Sequence, residues 1–348
     1  MRAITVTALG VVTAIVLVGT AVVVAQRQPA TTLAKGQRLF PDLEAKLADA
    51  QTIEVVKHDA KFDIVRHGDD WVVPDKSDYP ARAEMVRKAL VGLAELETID
   101  AKTRNPALYG RLHLQDVTAA DSKAVEVEIK DAKNAVLAAL LIGKKRTSPV
   151  GAPNSADMIY VRKVGDAQTW LAQGQLDVHD SALDWAQREI VDVPGDKVAS
   201  VELDQPGLKP VVLFHDKPED KDFKIRDMPA NKTVKSQWDL NNLASVLEAM
   251  TFDDVAKDGT LTFGPPKGTG VYRTKDGLVV TLTLLPKDAE TWVKVAATGD
   301  GAAAEQAKTI TARTAGWVYR IPDYKRDKLL SKLDDLVQEP KPAGKPQG

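Results

Sequence analysis

Arg82-Ala83-Glu84-Met85-Val86-Arg87-Lys88-Ala89-Leu90-Val91-Gly92-Leu93-Ala94-Glu95-Leu96 is the stretch from which the rest of the chain can be read. Met85, Val86, Ala89, Leu90, Leu93 and Leu96 recur at intervals of three and four, which places them on one face of an α-helix. A strand-like pair carrying Phe62-x-Ile64 precedes this helix, and Thr98-Ile99-Asp100 follows it. The same order returns in the second half. Phe223-x-Ile225 comes first, then Trp238 to Met250 with Leu240, Leu243, Leu247 and Met250 at helical spacing, then Phe252-Asp253-Asp254. Trp170 to Leu183 and Trp317 to Leu330 continue the echo, each leading from an aromatic strand into a short helix. Self-similarity at long range predicts one module used twice.

Working outward, the pattern predicts hairpins rather than crossovers. Ile53 to Val56 and Phe62 to Arg66 alternate around Asp59-Ala60, and Trp71-Val72-Val73 forms a third strand. Val125 to Ile129 and Val136 to Ile142 turn at Asp131 to Asn134; Met158 to Val161 and Gln168 to Leu171 pair next, before a short helix at Ser181 to Gln187. In the second half Val198 to Leu203, Val211 to His215 and Phe223 to Arg226 precede the helix. Gly270 to Thr274 with Leu278 to Leu285, then Thr291 to Ala296 with Gly316 to Arg320, follow it, and Asp323 to Val337 closes as a helix. Lys144 to Asp157 and Thr298 to Thr309 read as loop insertions. The expected class is α+β: two repeated, mainly antiparallel sheet modules, each with a helix packed on one face, after an N-terminal transmembrane helix. The expected divisions are an anchor at 1–26, a linker and short helix at 27–48, repeats at 49–193 and 194–338, and a disordered tail at 339–348.

Ala3 to Ala25 holds no charge and is built from Ala, Val, Leu and Ile with a few Thr and Gly. As a helix it spans roughly 35 Å, enough for a bilayer core of about 30 Å. The alternative is a signal peptide cleaved after Val23-Val24-Ala25, although the apolar run is longer than the roughly 7–15 residues usual there. Arg2 lies on one side and Arg27, Lys35 and Arg38 on the other, so flanking charge alone does not favour export. The very short N-terminal tail and the absence of cysteine place the body outside the cytoplasm, on a single-pass inner-membrane anchor. A net charge of -2 gives no footprint for nucleic acid.

Motifs of catalysis are sparse. His58, His67, His113, His179 and His215 show no i, i+3 or i, i+4 spacing, so no zinc helix is expected. Gly264-Pro265-Pro266-Lys267-Gly268-Thr269-Gly270 lacks the Gly-Lys-Ser/Thr ending of a phosphate loop. The acid pairs Asp69-Asp70, Asp253-Asp254 and Asp334-Asp335 lack the spacing of a calcium loop. Trp71, Trp170, Trp185, Trp238, Trp292 and Trp317 read as core anchors. The chain is therefore expected not to be an enzyme, and no cofactor or metal is expected. The one stretch singled out for partner contact is Lys144-Lys145-Arg146, the basic start of a loop between two strands.

Leu39-Phe40-Pro41-Asp42-Leu43, Trp71-Val72-Val73 and Tyr79-Pro80-Ala81 resemble the start of the domain-of-unknown-function family numbered 4340. Asn105-Pro106-Ala107-Leu108-Tyr109-Gly110-Arg111-Leu112, Tyr160-Val161-Arg162, Leu183-Asp184-Trp185 and the strand from Arg188 to Val193 extend the resemblance. It covers roughly Leu39 to Leu203 well and the second half only loosely. The resemblance implies a bacterial envelope protein with one membrane helix and an extracytoplasmic body, accessory to an ABC-type transporter. Its implied partners are the bilayer, through Ala3 to Ala25, and a membrane protein such as a permease or a gliding-motility-type auxiliary subunit. An interaction module is the expected function; a structural spacer of the envelope, or a hydrolase with a site between the repeats, are the alternatives.

Overall fold

A computed structural model describes residues 36–146, 158–217 and 219–340. The apolar stretch Ala3 to Ala25, its linker, the residues that follow Arg146 and the end of the tail lie outside the described residues. Among the described residues, no helix is long and apolar enough to cross a membrane. The fold is α+β with mainly antiparallel sheets. It divides into two compact units, Met1–Val72 with Ala81–Trp185, and Val73–Pro80 with Ala186–Gly348.

In the first unit, β1 (Ala50–Lys57), β2 (Ala60–His67) and β3 (Asp70–Val73) form a meander; the short β4 (Tyr79–Pro80) is counted with the second unit. Helix α1 (Ala83–Glu95), β5 (Glu97–Ala101) and the one-turn α2 (Tyr109–Leu112) come next. A second meander follows, β6 (Val125–Asp131), β7 (Val136–Arg146), β8 (Met158–Lys163) and β9 (Thr169–Gln173), and α3 (Ala182–Trp185) ends the unit. The sheet runs β3-β2-β1-β6-β7-β8-β9-β5. Period-two burial explains its core: Ile53, Val55, Phe62, Ile64, Val127, Ile129 and Leu140 are buried at alternate positions. Helix α1 buries the predicted stripe of Met85, Val86, Ala89, Leu90 and Leu93. The chain enters this unit along β5, where Gly36 N donates to Thr98 O at 2.6 Å and Leu39 N to Leu96 O at 2.7 Å. Leu39 and Leu43 are buried there.

The second unit contains β10 (Glu189–Val191), β11 (Val198–Asp204), β12 (Val211–Phe214), β13 (Lys224–Ile225), β14 (Thr233–Val234), α4 (Gln237–Ala244), β15 (Met250–Thr251) and β16 (Asp254–Lys257). Then come β17 (Gly268–Thr274), β18 (Val279–Lys287), β19 (Glu290–Thr298), α5 (Ala304–Thr314), β20 (Trp317–Arg320), α6 (Asp323–Leu329), α7 (Leu333–Leu336) and β21 (Val337–Gln338). Its main sheet runs β13-β12-β11-β17-β18-β19-β20-β16. Three strands lie to one side of a run of four in each main sheet; the edge beyond that run is β5, directly after α1, in the first unit, and β16, which comes after β15, in the second.

The structure departs from the sequence expectations in several places. The stretch Trp238 to Met250 is not one helix. Helix α4 stops at Ala244, a 3-10 turn spans Ser245–Leu247, and Ala249 takes a positive φ of 42° before Met250 enters β15. Lys325, itself buried, donates to Val246 O at 2.6 Å and Glu248 O at 3.1 Å, satisfying carbonyls freed where the helix ends. The closing helix likewise breaks into α6 and α7. Thr298 to Thr309 holds most of helix α5 rather than a loop. The boundary expected at 193/194 falls at Trp185 instead. Glu189 pairs with Thr251 and Val193 N donates to Leu247 O at 3.1 Å, so the stretch from Ala186 belongs with the second unit. Trp238 is 73% exposed, so it is not a core anchor; Trp170, Trp185 and Trp292 are buried.

A candidate binding cleft on the first unit

Gly92 sits on the buried side of α1, and the chain uses its missing side chain. A Cβ there would lie 2.2 Å from the carbonyl oxygen of Gln175. The loop after β9 therefore runs directly against the helix backbone, and beside this contact a cleft of about 420 Å³ opens. Val91, Gly92 and Leu176 supply its apolar lining. Arg87, Lys88 and Lys145 bring positive charge to it, and Glu95 and Asp177 bring negative charge. Lys88 is paired with Glu84 at 2.6 Å and Asp177 lies 3.2 Å from His179, whereas Lys145 has no ion pair among the described residues.

Of the predicted contact residues, the structure places Lys144, Lys145 and Arg146 at the end of β7, where pairing with β8 shifts register between Ile142 and Lys145. Lys145 lines the cleft. Lys144 lies close enough to His113 to act on its imidazole: burial first, then Lys144 and Lys123, hold that pKa below its ordinary value. Arg87 and Val91 were not singled out from the sequence, because they lie on the solvent side of a helix read for its core. The available signal was Gly92, a helix-weakening residue on an otherwise apolar stripe.

The other predicted groups scatter. Asp69 pairs with Arg66, Asp254 with Lys76 at 2.7 Å, and the Asp335 carboxylate accepts from Lys332 N at 2.9 Å. Gly268, Thr269 and Gly270 belong to β17 and pair with Leu284, Thr283 and Leu282. Carboxylates do gather on the sheet face opposite the β1–β6 core positions, where Glu54 faces Glu128 across β1 and β6. Lys61 and Lys130 each reach Glu54 at 2.8 Å, and Lys130 reaches Glu128 at 3.1 Å. Burial pushes the Glu54 carboxyl up, but those ammonium groups outweigh it and hold it below the ordinary value. Glu126 is different. Burial, then the carboxylates of Glu128, Asp116 and Glu54, push it up to about 7. Among the described residues, no group of three or more His, Asp or Glu is placed to hold a metal ion.

Over residues 71–269 the chain matches the family described as Domain of unknown function (DUF4340). The chain belongs to that family. No curated protein and no solved structure matches it. In this DUF4340 chain two of the segments that carried the resemblance, Asn105 to Leu112 and Tyr160 to Arg162, pack on one another. Arg162, 4% exposed, donates from Nε and Nη2 to Leu114 O at 3.1 and 3.0 Å, and from Nη2 to Asp116 Oδ1 at 2.6 Å. Its guanidinium lies 4.6 Å from the ring centroid of Tyr109, whose hydroxyl donates to Ala167 O at 2.6 Å. Asn105 accepts from Ala107 N at 3.1 Å, capping the turn that delivers Tyr109. Together these bonds fasten the stretch from Asn105 to Ala124 over Leu141, covering the second face of the sheet.

Proposed function

We propose that this DUF4340 chain is a membrane-anchored interaction module on the extracytoplasmic side of the inner membrane, accessory to an ABC-type transport system. The observation that carries this reading is the cleft beside α1, which joins an apolar lining at Val91 and Leu176 to the charge of Lys145, which has no ion pair among the described residues. Concave sites of roughly 300–1,000 Å³ with a few directed polar groups are where partners and ligands usually seat. The fastening of Gly36 and Leu39 to β5 supports the anchored arrangement. With Ala3 to Ala25 as the span, the ten residues Gln26 to Lys35 keep that attachment within roughly 35 Å of the bilayer. The matching strand orders of the two units support their reading as copies of one module.

The test places a photoreactive amino acid at Val91 or Lys145 of the full chain in native membranes. A permease or auxiliary subunit captured from both positions, and lost on reversing the charge of Lys145, is the expected result. A folded chain that captures nothing at either position is a spacer, and the module reading falls.

A further inference from the structure

The cleft lies beside the basic end of β7, and its chemistry specifies what the proposed partner presents. The inference rests on the reading of the chain as an interaction module. Across the whole sequence 47 Lys and Arg stand against 49 Asp and Glu, so charge is nearly balanced. At the end of β7 it is not. Lys144, Lys145 and Arg146 are exposed there, and none has an ion pair among the described residues. Gly143 lets a neighbouring segment approach, since a Cβ would lie 2.3 Å from Leu112 O and 3.0 Å from His113 O. This brings the turn after α2 against β7. Lys144 follows Gly143 directly, so it stands beside this turn. On the α1 side Lys145 and Arg87 share the cleft. Like charges held together on a folded surface repel one another, and an anionic partner relieves that cost.

The shape decides which kind of anion fits. A flat bilayer surface does not enter a concave cleft, and among the described residues that line it Val91 is the exposed large apolar side chain and none is aromatic. We infer that the partner seats an acidic peptide segment here, its carboxylates over Lys144, Lys145, Arg146 and Arg87 and an aliphatic side chain in the cleft against Val91 and Leu176. Glu95 and Asp177 on the cleft repel carboxylates and so turn the segment toward the β7 side.

The experiment uses the full chain in detergent micelles and the labelled peptide Asp-Glu-Leu-Asp-Glu-Leu-Asp-Glu, followed by fluorescence anisotropy at low and high salt. Vesicles of phosphatidylcholine with phosphatidylglycerol serve as the competing probe. Expected are binding of this peptide but not of its lysine counterpart, weakening with salt, and a loss of at least about tenfold in Lys144→Glu and Lys145→Glu. Val91→Asp should weaken it too, with circular dichroism unchanged. Absence of binding, or binding indifferent to all three substitutions, overturns the inference. Vesicle binding that Lys145→Glu abolishes, without peptide binding, also overturns it, in favour of a lipid surface. Capture of a membrane protein at Val91 that survives both charge reversals leaves the module reading standing and removes the acidic segment alone.

Discussion

Glycine inside a helix ordinarily costs about 1 kcal/mol relative to alanine, so Gly→Ala there tends to stabilise. Gly92 should reverse the sign. Its Cβ would meet the Gln175 backbone oxygen at 2.2 Å, so backbone rather than a flexible side-chain tip would have to shift. Gly92→Ala is therefore expected to destabilise by about 1–3 kcal/mol through overpacking, read from the denaturant midpoint; a stabilised variant would mean that the loop does not touch the helix. Glu126 carries a pH signature of its own. Its carboxyl titrates near 7 in the folded chain, against 4.5 in a free side chain. Folding therefore favours its protonated form. That contribution is fully present below about pH 4.5 and is lost as pH rises through 7. Glu126→Gln should flatten the stability profile across that window and gain on the parent above pH 7, measured as unfolding midpoints against pH. Parallel profiles would mean that Glu126 is solvated like an ordinary glutamate. At this scale the sequence was partly legible. Lys145 was singled out because it lies in a basic run, whereas Arg162 is a lone arginine in a strand, and only the fold shows Leu114, Asp116 and Tyr109 converging on it.

Elements were legible where large apolar side chains mark a period. Helix α1 has such a stripe and was placed to within a residue or two of Ala83–Glu95. Helix α5 does not: Ile310 is its one large apolar residue, and Ala307 and Thr314 complete its buried face. A stripe of small side chains leaves no contrast for a periodicity argument to use. Helix α4 was read too long because Leu247 and Met250 keep the spacing after the backbone has left the helix. Burial was the right inference for both, and the helix was the wrong means of achieving it. Leu93 and Leu247 are 1% and 0% exposed. Leu93→Ala should cost about 2–5 kcal/mol, from lost transfer energy and the cavity left behind. Glu95→Ala, on the exposed side of the same helix, should change stability by no more than about 0.5 kcal/mol. Thermal and denaturant unfolding of the two variants side by side is the check; equal effects would remove α1 from the core of its unit.

For the whole molecule, the succession of strands followed from turn residues and alternating patterns, since hairpins are local. The membership of distant segments was not readable in that way. Val73–Pro80 lies early in the chain yet belongs to the second unit, and its sequence bears no mark of that. The reason is aromatic packing. Tyr79, 1% exposed, meets Trp317, Phe252 and Tyr319 edge-on with ring centroids 4.8, 5.4 and 6.3 Å away, and its hydroxyl donates to Gln187 O at 3.1 Å. Lys76 adds its ion pair to Asp254 on β16. The strap therefore holds the pairing of β16 with β20, where Val255 faces Tyr319. Tyr79→Phe gives up one hydrogen bond and should cost about 0.5–1.5 kcal/mol. Tyr79→Ala empties a fully buried aromatic site and should cost about 3–5 kcal/mol. Native-state hydrogen exchange locates the damage. Amides of β16 and β20 should lose protection in Tyr79→Ala well before those of β1 and β6, since the residues that cage Tyr79 lie on or beside the former pair. Unchanged protection in β16 and β20 would show that the strap contributes nothing to the unit that contains it, and the assignment of residues 73–80 would have to be withdrawn.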